Sequence, residues 1–249
     1  MSSIAVSERP RVSLRPLALP AEHGGWGFLL EPIVLGLIVA PSTGGVLIAT
    51  GAVAAFLARH PLKLAAQDWL RDKRYPRTRA CALLALVYGA LAVASFAAAP
   101  WRAVAALAAA LPFALAQFVY DARNRGRAFT PELLGVIAPG AIAGAIAIAA
   151  GRPIALAATL WLLMALRALP SILYVRSALR GSSRAAMISA HVAAIAIAAF
   201  ISPIAGVAMV LLLVRAIPST TGVAARMIGM RELAWGALTV GLLAFGFLA

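Results

Sequence analysis

Two aspartates four residues apart are the first candidates for chemistry in this chain of 249 residues. Asp68 and Asp72 lie in the stretch LKLAAQDWLRDKRYPRTRAC, residues 62–81. On a helix this spacing puts both carboxylates on one face, where they could share a magnesium ion that also holds a phosphate oxygen. Gln67 could orient a ligand or a water. The cations that could face a phosphate are Lys73, Arg74, Arg77 and Arg79.

The alternative for this stretch is a solvated cluster in which the aspartates only pair with neighbouring basic residues. Elsewhere, Glu22 and His23 in EHGGWG could form a proton-transfer pair, although a helix cap with an interfacial tryptophan fits the same residues. Glu31 lies within an apolar run, where a carboxylate marks either a functional site or a buried ion pair. Its expected partner is Arg167, which we place as the single basic residue inside a membrane span.

The composition indicates that membrane helices must position these side chains. Hydrophobic residues make up 63% of the chain, charged residues 12%, and the mean hydropathy is +0.95. A soluble domain of this composition could not present a polar surface to water. The apolar runs are long and unbroken, which favours helices, because lipid requires the backbone hydrogen bonds to be satisfied internally. The single cysteine, Cys81, excludes an intrachain disulfide and a multi-cysteine metal site.

Nine apolar runs predict an all-α, polytopic membrane helical bundle of about nine transmembrane helices. Residues 1–24 are expected to form a basic cytoplasmic tail, and residues 25–249 a single transmembrane domain. The tail shows no apolar core or small-residue cleavage site before Pro20, so it does not resemble a signal peptide. The runs are 25–41, 44–60, 81–99, 102–120, 133–150, 153–175, 186–201, 203–218 and 232–249.

The basic residues are distributed unevenly along the chain. Lys and Arg number 22 against eight Asp and Glu, which gives a net charge of +14. Nineteen of the 22 fall in the tail and in the loops after the second, fourth, sixth and eighth runs, when Arg59 and Arg215, at the ends of their runs, are counted with the loops that follow. The positive-inside rule therefore predicts a multi-pass protein with a cytoplasmic N-terminus and an external C-terminus. Membrane lipid headgroups and an anionic substrate account for the charge without a nucleic-acid partner.

Three stretches carry a resemblance to one known superfamily, and a fourth adds a resemblance to a second family. QDWLRDKRYPRTRA resembles the first aspartate-rich motif of the UbiA superfamily of intramembrane prenyltransferases, with Gln67 in place of its Asn, Asp68 matching its next Asp, and Asp72 offset by one residue. EHGGWGFLLEPIVLGL is similar to the entry of that superfamily's first helix. EHGGWG together with ILYVRSALRG resembles the YwiC-like family of bacterial membrane proteins.

The third stretch, VYDARNRGRAFTPELLGVIAPGAIAGA, resembles the superfamily's Tyr-x-x-x-Lys-Arg region, with Tyr120 and Arg123 or Arg125 in those roles. The resemblance implies a UbiA-like bundle in the bacterial inner membrane that transfers a prenyl group from a magnesium-bound isoprenoid diphosphate to a lipophilic acceptor. Asp68 and Asp72 would hold the metal and face a cytoplasmic cavity opposite Tyr120. The residues that would bind the diphosphate are Lys73, Arg77, Arg123 and Arg125.

The second aspartate-rich motif of the superfamily has no counterpart here. At its place the chain reads PSILYVRSALRGSSRAA, with no acidic residue. Arg176 and Arg180 would bind the diphosphate in place of a second magnesium, or would contact lipid headgroups as positive-inside residues. Three alternatives stay open: prenyl transfer, another lipid-linked or phosphate-linked transferase, and a non-catalytic lipid or cofactor binder, transporter or assembly factor.

Overall fold

The computed structural model describes residues 13–19, 23–73, 75–126, 128–218 and 223–248, with the backbone alone for residues 23 and 24. Within these ranges the chain forms eleven α-helices and no strand, which confirms the predicted all-α fold. The helices are α1 Arg15–Ala18, α2 His23–Val39, α3 Thr43–Leu70, α4 Pro76–Ala98, α5 Trp101–Ala108, α6 Leu111–Ala122, α7 Phe129–Ala149, α8 Ile154–Arg180, α9 Arg184–Ile201, α10 Pro203–Ala216 and α11 Ala225–Leu248.

Six of these helices are long and apolar enough to cross a membrane, namely α3, α4, α7, α8, α9 and α11. Helices α5 and α6 meet at a bend of 54° and add a seventh span if the pair crosses as one. Helices α2 and α10 are apolar but shorter. Each predicted run therefore corresponds to a helix or to the bent pair, whereas the described residues give six or seven spans by length rather than nine.

Local sequence explains where several helices begin and end. The Ser42 hydroxyl caps α3 by accepting a hydrogen bond from the Gly45 N–H at 2.9 Å. Pro76 and Pro203 lie in the first turns of α4 and α10, where a missing N–H leaves no helical bond unmade. Gly181 ends α8 in the left-handed conformation, with φ of 63°. These ends set the lengths of the helices that carry the candidate residues.

Helix α7 lies between two apolar cores. It contributes Ala143 and Ala147 to a core shared with α2 and α8 to α11, and Ile146 to a second core with α2, α3 and α5. Gly144 lets α7 approach α8 closely, because a Cβ there would lie 2.6 Å from the Ala157 carbonyl oxygen. Small residues in α7 thus fix the helices on both of its sides relative to one another.

The described part of the N-terminal tail packs against the bundle. Leu17 of α1 is buried against Ala65 of α3 and Cys81 of α4. Nε2 of His60 lies 3.2 Å from the Pro16 carbonyl oxygen. Residues 13–19 therefore contact the same end of the bundle at which α3 ends and α4 begins.

Candidate functional site

Asp68 lies buried near the end of α3, and its carboxylate is bound by the first turn of α4. The Thr78 hydroxyl donates to Oδ2 at 2.7 Å, and Nη2 of Arg77 donates to Oδ1 at 3.0 Å. The Thr78 oxygen in turn accepts the backbone N–H of Tyr75 at 3.1 Å. The Arg77 guanidinium lies 5.1 Å from the centre of the Tyr75 ring. Asp68 therefore fastens the turn between α3 and α4.

Asp72 does not share a helical face with Asp68, and that expectation is wrong because α3 ends at Leu70. The Lys73 N–H bonds back to the Asp68 carbonyl at 2.9 Å, and Asp72 takes a left-handed φ of 49°. Asp72 and Lys73 are exposed after the helix end. Within the described ranges, no three His, Cys, Asp or Glu residues group as metal ligands. The Asp68 and Asp72 carboxylates therefore do not form a shared site for a magnesium ion. Magnesium binding stays a prediction.

An open recess of about 540 Å³ lies where the ends of α3 and α6 meet. We call it the basic recess, and its lining residues are Gln67, Leu70, Arg71, Ala122, Arg123, Asn124 and Arg125. Three residues predicted from two distant stretches, Gln67, Arg123 and Arg125, thus come together. Asp68, Asp72 and the half-buried Tyr120 are not among the lining residues. The predicted arrangement of both aspartates opposite Tyr120 is therefore not the geometry of this recess.

A tight turn after α6 positions the arginines of the basic recess. Asn124 takes a left-handed φ of 59°, and the Arg125 N–H donates to the Tyr120 carbonyl at 2.8 Å. Gly126 packs so closely on Asp121 that a Cβ at residue 126 would overlap the Asp121 carboxylate. The chain therefore turns back on itself immediately after α6. This turn leaves Arg123 and Arg125 exposed at the mouth of the recess.

Asp121 is the anchor that holds α6 against α3. Its buried carboxylate accepts hydrogen bonds from Nε and Nη2 of Arg59, the first at 3.0 Å, and lies 3.8 Å from Nζ of Lys63. The Gln67 amide donates to the Asp121 carbonyl at 3.0 Å. Arg59, Lys63 and Gln67 recur every four residues, so one face of α3 makes all three contacts. No acid remains among the lining residues of the basic recess, which therefore favours an anion.

A second pair of arginines binds a carboxylate between α7 and α8. Nη1 of Arg176 lies 2.6 Å from Oε2 of Glu132, and Nη2 of Arg180 lies 3.0 Å from Oε1. The two arginines are four residues apart in α8 and therefore reach the carboxylate from one face of the helix. Because Glu132 already occupies both guanidinium groups, their binding of a diphosphate stays a prediction. Glu22 and the His23 side chain lie outside the described residues.

The part of the chain that forms the basic recess matches a known protein family. Residues 19–147, more than half of the chain, match the family described as YwiC-like protein. The chain belongs to the YwiC-like family. No curated protein and no solved structure matches it. The matched residues include both sides of the basic recess, Asp68 with its partners Arg77 and Thr78, and Asp121.

The YwiC-like chain also holds a buried ion pair that the sequence predicts. Glu31 of α2 and Arg167 of α8 are 7% and 1% exposed. Nε of Arg167 lies 2.7 Å from Oε2 of Glu31, and Nη2 donates to Oε1 at 2.8 Å. Gly236 of α11 leaves room for the pair, since a Cβ there would overlap the Glu31 carboxylate. The predicted pairing is confirmed as a two-pronged contact between helices.

Sequence reasoning missed the other half of this network. Arg215 was assigned to a loop but lies buried in α10, so Arg167 is not the single basic residue within the helices. Arg215 binds Glu232 of α11 through Nη1, and donates to the Ser171 hydroxyl through Nη2 at 2.6 Å. Nη2 of Arg167 donates to the Glu232 carbonyl at 3.1 Å. The available signal was that run 203–218 contains Arg215 and run 232–249 begins with Glu232.

Proposed function

We propose that this YwiC-like membrane protein binds an isoprenoid diphosphate, or another anionic lipid-like molecule, in the basic recess. The observation that carries the proposal is the convergence of Arg71, Arg123 and Arg125 on one space without a lining carboxylate. A guanidinium offers fixed charge and two parallel donors to phosphate oxygens. Leu70, which lines the recess and is 68% exposed, supplies apolar surface for the ligand's hydrocarbon chain.

Prenyl transfer to a lipophilic acceptor is the reaction that we propose for this ligand. It is supported by the meeting of Gln67 with Arg123 and Arg125, which come from the two stretches that carry the prenyltransferase resemblance. In this reaction the allylic C–O bond breaks and the diphosphate leaves with the bonding electrons. The acceptor forms the new bond to the allylic carbon and releases a proton. The arginines would neutralise the departing diphosphate.

A non-catalytic lipid or cofactor binder, transporter or assembly factor is the second candidate. The Asp68 carboxylate favours it, because Arg77 and Thr78 occupy the oxygens that a catalytic metal would need. Both candidates share the anionic ligand and the basic recess. They differ in whether the bound molecule is converted.

We place the basic recess at the cytoplasmic face of the bacterial inner membrane. The positive-inside distribution of the 22 Lys and Arg residues supports this orientation. The packing of α1 beside His60 and Cys81 supports it further, because residues 13–19 of the basic tail then lie at the same end as the basic recess. The C-terminus is proposed to lie outside.

Binding of farnesyl diphosphate to the purified protein in lipid nanodiscs tests the proposal. Arg123→Gln and Arg125→Gln should each weaken binding about 10- to 150-fold, since a charge-assisted hydrogen bond contributes about 1.5–3 kcal/mol. Arg152→Gln is the matched control, because Arg152 is an exposed arginine in the loop at the other end of α7. Affinity that stays unchanged in both recess variants would overturn the proposal.

The two candidate functions separate in a second step of the same experiment. Labelled farnesyl diphosphate is incubated with the protein, magnesium chloride and a bacterial lipid extract. Release of diphosphate together with a labelled lipophilic product supports prenyl transfer. Recovery of intact ligand from a protein that binds it supports the non-catalytic candidate.

A further inference from the structure

A second open recess lies between the end of α3 and the start of α4, with a volume of about 500 Å³. We call it the aromatic recess, and its lining residues are Trp69, Tyr75, Pro76, Thr78, Arg79 and Ala82. It shares no lining residue with the basic recess, and no carboxylate is among its lining residues. It is therefore a separate place for a ligand to bind.

Arg79 is the cation that the aromatic recess offers. The neighbouring Arg77 is already bound to Asp68, and the Thr78 hydroxyl donates to the same carboxylate. The Arg79 side chain is exposed and makes no ion pair or hydrogen bond with any residue that the structure describes. Its guanidinium is thus available for the oxygens of a phosphate.

The two aromatic side chains indicate that this recess lies at the level of the lipid headgroups. Trp69 and Tyr75 are 56% and 43% exposed. Tryptophan and tyrosine are enriched at membrane–water interfaces, because their rings are apolar while the N–H or O–H reaches water. Both residues flank the turn at which α3 leaves, and α4 enters, the apolar part of the chain.

An exposed apolar face of α4 continues from the aromatic recess. Arg79, Leu83, Leu86, Ala90 and Val93 follow one another at spacings of three and four residues, which places them on one side of the helix. Leu83, Leu86 and Val93 are 63%, 67% and 70% exposed. Only 17% of the most apolar window of α4 is buried within the described bundle. This face is therefore an apolar surface along which acyl chains can lie, and it begins at the Arg79 guanidinium.

We infer that the aromatic recess binds one anionic phospholipid of the surrounding bilayer. The Arg79 guanidinium binds the phosphodiester, Trp69 and Tyr75 contact the headgroup and glycerol, and the acyl chains lie along α4. A zwitterionic lipid fits less well, because no lining carboxylate can pair with its ammonium group. The Arg77 guanidinium already lies over one face of the Tyr75 ring, so that face is not open to the ammonium group.

Native mass spectrometry after incubation with mixed vesicles tests this site. The purified full chain is incubated with vesicles of equal phosphatidylglycerol and phosphatidylcholine, and the retained lipids are counted. The wild type should retain phosphatidylglycerol preferentially. Arg79→Gln should reduce that retention by about tenfold or more, the effect expected of one lost charge-assisted hydrogen bond. Arg79→Lys keeps the charge without the fork and should give an intermediate value.

Arg102→Gln is the matched control for this experiment. The Arg102 guanidinium lies 5.7 Å from the Trp101 ring beyond the other end of α4, so the variant removes an arginine beside a tryptophan without touching the recess. Its phosphatidylglycerol retention should equal that of the wild type. Farnesyl diphosphate binding should be unchanged in Arg79→Gln, which separates this site from the basic recess and shows that the variant is folded.

Three outcomes would overturn the inference. Equal retention of phosphatidylglycerol by the wild type and Arg79→Gln would remove the role of Arg79. Equal retention of the two lipids by the wild type would remove the preference for an anionic headgroup. Displacement of the lipid by inorganic phosphate would show that the recess binds a free anion rather than a bilayer phospholipid.

Discussion

Asp68 and Asp72 have the same side chain and different environments. Asp68 is 1% exposed, and two side-chain donors compensate its carboxylate for the loss of water. Asp72 follows the end of α3 and is exposed. At the scale of single residues, the structure therefore assigns Asp68 to the helix turn, whereas the Asp72 carboxylate has no ion pair with any residue that the structure describes.

Substitution of the two aspartates by asparagine distinguishes these environments. Asp68→Asn should lower the free energy of unfolding by about 1–2 kcal/mol, because the half-exposed Arg77 loses a charged acceptor. Asp72→Asn should change it by less than about 0.5 kcal/mol, since asparagine tolerates the left-handed backbone at this position. Denaturant titration in detergent micelles measures both values.

Magnesium chloride added to the same titration examines the predicted metal site. If Asp68 only holds the turn between α3 and α4 through Arg77 and Thr78, magnesium should shift the unfolding midpoint of the wild type and both variants equally. A shift that is present in the wild type and lost in both variants would instead identify the two aspartates as metal ligands.

At the scale of helices, buried charges join elements that are distant in the sequence. Glu31 and Arg167 connect α2 to α8, and Arg215 and Glu232 connect α10 to α11. The Arg167 bond to the Glu232 carbonyl links the two pairs. An unpaired charge in this setting is costly, so each pair holds its two helices in one relative position.

Removal of one member of the Glu31–Arg167 pair should therefore lower the free energy of unfolding more than removal of both members. Glu31→Gln removes the nearer of the two carboxylates beside Arg167, leaving Oε2 of Glu232 at 3.7 Å from Nη1, and should lower the free energy of unfolding by about 3 kcal/mol. The double variant Glu31→Gln, Arg167→Met should lose clearly less, because the buried guanidinium is removed together with its nearest countercharge while Glu232 keeps Arg215. Val34→Ala, on the exposed side of α2, is the control and should lie near the wild type.

Thermal unfolding in detergent, followed by circular dichroism, compares these variants. We expect the unfolding temperature to be highest for the wild type and the control, lower for the double variant and lowest for Glu31→Gln. A Glu31→Gln protein as stable as Val34→Ala would show that the pair does not hold α2 against α8.

The helices themselves could largely be predicted from apolar runs, but their ends could not. The run 44–60 stops ten residues before α3 does, because hydropathy detects apolar side chains rather than helical backbone. The polar extension was nevertheless visible in Arg59, Lys63 and Gln67, whose spacing of four residues marks the face that contacts Asp121. The end of α3 before Asp72 depends on a left-handed turn without glycine, which spacing alone does not reveal.

Pairing across the bundle was predictable only where the candidates were few. Glu31 and Arg167 could be matched because both lay inside apolar runs. Arg215 and Glu232 lie at the end of run 203–218 and at the start of run 232–249, where a charge fits equally well in a loop, so the pairing itself becomes visible only in the packing of α10 against α11. The binding of Glu132 by Arg176 and Arg180 likewise depends on how α7 lies against α8.

At the scale of the whole molecule, the fold gathers cations from separate segments at one end of the bundle. Gln67 and Asp121 are 54 positions apart, yet the amide of Gln67, a lining residue of the basic recess, donates to the Asp121 carbonyl. The family match spans both segments, as well as α7, which packs against α2, α3 and α8. The central claim is therefore that this end of the YwiC-like bundle binds the phosphate of an amphipathic ligand.

Photocrosslinking tests that claim most directly. A farnesyl diphosphate analogue with a diazirine close to the diphosphate is bound to the protein in nanodiscs and irradiated, and the adducts are mapped by peptide mass spectrometry. The account predicts adducts in the peptides that contain residues 67–71 and 122–126, suppressed by excess farnesyl diphosphate but not by phosphatidylglycerol. Adducts confined to the peptide with Arg176 and Arg180, or adducts that excess farnesyl diphosphate does not suppress, would contradict it.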